Sequence, residues 1–188
     1  MQGRTMKTSL TVVCLFWGLG FLGCGSNTTS STLDPTAFGE EFKLSSSDIQ
    51  GWSQSTAVMS FWTGKGTELE IRIDGGNEPY VTRGCLVAMY QDLVGPDPQA
   101  CEVVVMDFGT EAHANSMFTY EKQLRSASVP IAQYDTSAAI GSATLGGVSV
   151  YAYSKALYFE VQLTGYADQN AAVSVAAQFL RILESKAK

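Results

Sequence analysis

Asp74, Asp107 and His113 are the polar residues of this 188-residue chain that could together move a proton. Nucleophilic hydrolysis needs a hydroxyl or thiol within reach of an imidazole that a buried acid orients. Ser116 stands at i+3 from His113, the single histidine, so any helix carrying both puts them on one turn, where an acid seldom orients the ring. A solvated helix histidine is thus one reading, and a hydrolase using Asp74, Asp107 and His113 is the other. Asp74-Gly75-Gly76 could offer backbone N–H groups to an anion, but no Lys or Ser/Thr follows at phosphate-loop spacing. Paired glycines also serve a plain turn, because they take positive φ at no steric cost. Asp107 has no second carboxylate at a spacing that suggests metal binding or paired acid–base work. No metal site and no cofactor is expected.

The elements that must position these residues can be read from periodicity. Residues 85–94 and 101–108 alternate as two strands joined by the turn-rich 95–100 segment, hence a hairpin. Thr110 is a good N-cap for a helix over about 110–125, with Ala114, Met117, Phe118 and Leu124 on one face. Strands are expected at 57–62, 129–134, 138–145, 148–153 and 157–163. Asp168 should cap a last helix, about 168–186, whose Ala172, Val175, Ala176, Phe179, Leu180 and Leu183 form an apolar stripe. Two rules conflict at 67–80: Thr67 and Glu70 have capping-box spacing, whereas Leu69, Ile71 and Ile73 alternate as a strand does. The pattern is α+β, a mostly antiparallel sheet packed by two long helices and one possible shorter helix near 67–80. Eight tyrosines, Tyr151, Tyr153 and Tyr158 among them, fit strand alternation, with a binding face as the rarer use.

Composition sets the frame. One domain of this length buries roughly 70% of its unfolded surface without metals or many disulfides, and it is too short for a two-lobed solute-binding protein. A formal net charge of −6, with no basic run after residue 7, lacks the footprint of a nucleic-acid binder. Arg4 and Lys7 precede an uncharged apolar run over 8–22 that Gly18 and Gly20 interrupt, the layout of an export signal; Met6-Lys7 is a more conventional start than Met1. The run ends in Phe21-Leu22-Gly23-Cys24, which resembles the lipobox of bacterial lipoproteins and implies lipidation, with palmitate, of Cys24. An uncleaved anchor and ordinary signal cleavage are the alternatives. Gly25 beside the cysteine resembles outer-membrane sorting in enteric bacteria, so a diderm host would place the protein on the outer membrane facing the periplasm. Residues 26–32 are small, polar and uncharged, and with the stretch to 43 they read as a flexible tether. The organisation expected is signal peptide 1–23, lipidated N-terminus and tether 24–43, and a globular domain over 44–188. Losing two cations and no acid takes the mature charge from −6 to −8, so the domain should stand off an anionic leaflet.

Cys85 and Cys101 then remain in an oxidising compartment, where parity suggests a disulfide. The hairpin argues for two free thiols, since it puts about 8 residues of strand between them and a bridge needs Cα atoms within about 7 Å.

Arg72-Ile73-Asp74-Gly75-Gly76-Asn77-Glu78-Pro79-Tyr80, followed by Tyr90, by Met106-Asp107-Phe108-Gly109 and by a helix with Ala114 and Met117-Phe118, resembles an uncharacterised family of bacterial envelope proteins. That family's motif is close to Tyr-Ile-Asn-Gly-Gly-Ala-Glu-Leu-Tyr; Asp74, Asn77 and Pro79 depart from it. The resemblance spans about 44–185 and implies a helix running into the glycines, with Asp74, Gly75, Gly76 and Tyr80 as candidate binding residues. It implies no activity. The strand-rich end with a closing helix is also similar in layout to the PsbP-like fold of envelope accessory proteins. The functional expectation is a lipid-anchored, non-enzymatic binding or scaffolding domain with a membrane attachment and an envelope protein partner; the hydrolase and a carrier of small apolar ligands are the alternatives.

Overall fold

The structure is a computed structural model that describes residues 33–125, 128–131, 134, 135 and 138–187. Cys14, Cys24 and the 26–32 tract lie outside the described residues. No helix among the described residues is long and apolar enough to cross a membrane.

The 85–108 region forms the expected hairpin. Strands β3 (Val87–Val94) and β4 (Ala100–Asp107) pair antiparallel, with Leu93 opposite Cys101. The chain first makes helix α1 (Pro35–Phe42), then β1 (Ser53–Gln54) and β2 (Phe61–Lys65), both paired to the outer edge of β3. Helices α2 (Glu70–Ile73) and α3 (Glu78–Thr82) precede the hairpin, and α4 (Glu111–Leu124) follows it. Strands β5 (Ser128–Val129), β6 (Ala139–Thr144), β7 (Gly147–Ser154) and β8 (Leu157–Thr164) form a meander, and α5 (Gln169–Lys186) closes the fold. The decisive pairing is β4 with β8, from Ala100↔Thr164 to Asp107↔Leu157, which joins hairpin and meander into one antiparallel sheet. The α+β architecture holds.

Strand alternation gives the sheet two unlike faces. One face carries Val87, Met89 and Leu93, Val103 and Val105, and Phe159, Val161 and Leu163, packed under α1 and α5. Phe179, Leu180 and Leu183 of α5 are fully buried against it, and Asp168 caps the helix by accepting from the Asn170 N–H at 2.9 Å. The other face is covered by α4 through Ala114, Met117 and Phe118, and Thr110 caps that helix by accepting from the His113 N–H at 3.2 Å.

Several expectations shift. The folded domain begins ahead of Leu44: Asp34 caps α1, and Phe38 and Phe42 are buried in the core. Residues 57–60 are a turn, so the strand expected at 57–62 starts only at Phe61. At 67–80 the helix wins. A 3-10 turn over Gly66–Glu68 leads into α2, which ends where Asp74 takes a left-handed φ of 35° beside Gly75. The reciprocal acid is Glu68 rather than Glu70, because its carboxylate accepts the Lys65 N–H at 2.8 Å. The strand expected at 129–134 is two residues long, although 132 and 133 lie outside the described residues. Cys85 and Cys101 are both free and buried and belong to the clusters on opposite faces, so the disulfide is not made.

Gln91 is a polar residue that periodicity did not single out. It is fully buried; its Oε1 accepts from the Leu44 N–H and its Nε2 donates to the Leu44 carbonyl, both at 2.8 Å. The pair fastens the segment after α1 to the sheet. Gln91→Leu should cost about 2 kcal/mol by orphaning two backbone groups of buried Leu44; urea denaturation checks this, and a loss below about 0.5 kcal/mol would contradict it.

Candidate functional site

The face under α4 is only half apolar. Register lays its side chains in rows across the sheet. Ala88, Met106, Tyr158 and Tyr153 form the row beneath α4; Tyr90, Val104, Glu160 and Tyr151 form the next; Asp92, Glu102, Gln162 and Ser149 form the last. An aliphatic floor therefore turns polar within three rows. Glu160 lies on β8, in the middle of the sheet, and is partly exposed.

Two arginines on this face are held in matching arrangements. On one side Arg72 from α2 donates to Asp92 at 3.3 Å and to Glu102, with its guanidinium 5.0 Å from the Tyr90 ring centre. On the other, Arg125, just past α4, donates to Glu121 at 2.7 Å and lies 4.8 Å from the Tyr151 ring centre. Glu121 is nearly fully buried. Each cation is thus stacked on a tyrosine and committed to other carboxylates, and among the described residues no ion pair compensates Glu160. Burial first, then the charges of Glu121 and Glu102, push its carboxyl up to about 8 against the pull of Arg125. Glu102 is raised as well, by burial that outweighs Arg72.

Tyrosines complete the surround. Burial and then Glu160 push the hydroxyls of Tyr80, Tyr151 and Tyr158 above their ordinary range, Tyr151 to about 12, so they remain protonated. Tyr158 is fully buried and its hydroxyl has no hydrogen-bond partner among the described residues. Glu160 and Glu121 are the charges it feels most, so that hydroxyl belongs to the same polar space. The last row opens into a concavity of about 310 Å³ lined by Asp92, Glu102, Gln162 and Ser55, among others. Chemically, a protonated Glu160 can donate a hydrogen bond, and an ionised one can receive a cation.

The expected site residues fall elsewhere, Tyr80 excepted. Asp74, Gly75 and Gly76 are exposed in a turn; Tyr80 is half-buried against the α4-side cluster. Asp107 accepts the Gly109 N–H at 2.6 Å. The His113 Nδ1 lies 3.3 Å from the Phe108 carbonyl oxygen. No hydrogen bond among the described residues joins any two of Asp74, Asp107 and His113. Glu160, Glu121, Glu102, Arg72 and Arg125 went unread. The one hint was a glutamate in each of strands 101–108 and 157–163, Glu160 at the centre of the second, and alternation alone assigns those to solvent. Leu124, expected on the buried face of α4, is 56% exposed, and Glu121 is buried in that face instead. No group of described residues is arranged to hold a metal ion.

No protein-family model matches the chain, and no curated protein matches it. Among solved structures, the crystal structure of the extracellular domain of PknH from Mycobacterium tuberculosis is similar in fold. It has a TM-score of 0.50 and 11% identity, covering 82% of this chain and 98% of that one. At such identity the likeness is one of fold.

Proposed function

We propose that this chain is a lipid-anchored domain of the bacterial cell envelope that binds a small polar ligand on the sheet face around Glu160, without catalysing its conversion. The observation that carries the reading is the built polar space itself: a carboxyl without a counter-ion in mid-sheet, two Arg–Tyr clamps beside it and a buried tyrosine hydroxyl without a partner. Buried polar groups in a finished core find partners, so a set left incomplete beside an open concavity has the character of a binding site. The similarity to an extracellular domain, the export-type leader and the Cys24 lipobox support placement outside the cytoplasm.

Two measurements test it. Palmitate supplied to bacteria producing the full chain should label the protein and leave it in the membrane fraction, and Cys24→Ser should abolish both; unlabelled full-length protein in the cytosol overturns the anchor. A thermal-shift panel of sugars, amino acids, amines, peptides and nucleotides should contain at least one class that raises Tm by about 2 °C or more in the wild type and not in Glu160→Gln. A panel without such a class, or hits indifferent to the substitution, overturns the site.

A further inference from the structure

Charge around Glu160 is unequal. Asp92 and Glu102 share Arg72, Glu121 takes Arg125, and Glu160 is the fourth carboxylate with no third cation. With all four ionised the space holds two negative charges in excess; with Glu160 protonated it holds one. An anion would add to that repulsion, and a neutral polyol would leave it unchanged. A cation removes it while also offering a hydrogen bond to the Tyr158 hydroxyl, which has no partner among the described residues.

Taking this face as the ligand site, we propose that its ligand is a small aliphatic amine, bound as the ammonium with its N–H groups directed at the Glu160 carboxylate and the unpartnered Tyr158 hydroxyl. The concavity lined by Asp92, Glu102 and Gln162 lies one row along the sheet from Glu160 and suits a molecule of a few carbons.

Binding is coupled to a proton. The groups facing Glu160 are Glu121 and Arg125 from the α4 side, Glu102 from β4, Tyr151 from β7 and Tyr80 from α3. Burial and the Glu121 and Glu102 charges disfavour a carboxylate there against the pull of Arg125, while the tyrosines stay neutral, so the free protein holds Glu160 as the neutral acid at pH 7. When the ammonium arrives, already charged, the Glu160 carboxyl releases its proton to solvent and the carboxylate takes up the ion pair. Below the pH where Glu160 ionises, affinity should therefore fall about tenfold per pH unit.

Calorimetric titration of the full domain with 1,4-diaminobutane at pH 7.5 tests this. The expected result is one saturable site. Its heat should change between phosphate and Tris buffers by an amount corresponding to about one proton released. Affinity should weaken by about tenfold or more at pH 6 and by about tenfold or more in Glu160→Gln, with 1,4-butanediol giving no heat. Glu160→Gln keeps the side-chain shape and removes only the ability to become a carboxylate, and a melting curve on the same sample confirms its fold. Glu102→Gln is a second variant expected to weaken binding. Absence of saturable heat up to about 10 mM diamine, binding indifferent to Glu160→Gln, or equal binding of the diol overturns the proposal. If another class in the panel binds in a Glu160-dependent way, the amine falls and the site stands.

Discussion

Arg125→Met should destabilise the fold by about 3 kcal/mol at pH 8, because removing one partner of a buried pair strands the other. Glu121 would be left 5% exposed, with the like charge of Glu160 acting on it and its Arg125 ion pair gone. Arg125 itself is partly in solvent, which keeps the expected loss at the lower end for a broken buried pair. The loss should shrink at pH 5. Glu160 stands near 8 in the folded chain against an ordinary 4.5. Between those values the folded chain holds a proton that the unfolded chain has lost, so stability is full below about 4.5 and falls as pH rises towards 8. Glu102 and Asp107 are displaced in the same direction and add to that slope. Without Arg125, Glu160 moves further up and the slope steepens. Urea denaturation at pH 5 and pH 8 measures both effects. Combining Arg125→Met with Glu121→Gln should recover most of the loss, since no uncompensated charge remains at that position. Equal losses at both pH values, with no recovery in the double variant, would show that Arg125 acts through packing on Tyr151 alone.

Phe179→Ala should cost about 3–5 kcal/mol, the range for deleting a buried aromatic side chain. The Phe179 ring is fully buried and meets Trp52 edge-on at 5.1 Å between centroids. Trp52 in turn lies so close to Gly95 that a Cβ there would approach its ring to 2.8 Å. The helix, the segment after α1 and the hairpin turn thus converge on one point. Truncating Phe179 removes the element facing Trp52, and backbone on the other side leaves little freedom to fill the space. Calorimetric melting should show a drop of about 10 °C, with the Trp52 emission shifted to the red as water reaches it. Phe179→Leu should recover about half of the lost stability, as volume-conserving changes do. A Phe179→Ala protein within about 1 kcal/mol of wild type would mean that α5 is held elsewhere.

Local signals read well where the element is made by its own neighbours. The hairpin, with Cys101 opposite Leu93, follows from alternation and a turn-rich link. The caps at Thr110 and Asp168 follow from one hydroxyl and one carboxylate ahead of apolar repeats. The stripe of α5 was legible for the same reason, save Val175, which is only partly buried. Helical spacing put Leu124 on the buried face and left Glu121 unread, since both positions fit a helix face and only the placement of α4 on the sheet chooses between them. Helix α1 was hidden because its eight residues carry few apolar side chains beyond Phe38 and Phe42, next to a tract with the composition of a tether.

Residue order alone determined the type and limits of most elements, because hydrogen bonds within a turn or helix and the period of apolar residues are satisfied over a few neighbours. It placed glutamates on β4 and β8 without telling that these strands are adjacent. Only the tertiary structure, by pairing segments about sixty residues apart and closing a helix over them, gathered Glu102, Glu121 and Glu160 into one space and left the last without a counter-ion. The reason is physical: desolvation and charge interaction depend on distances through space, and a central strand's polar residue reads the same in sequence whether water or another carboxylate faces it.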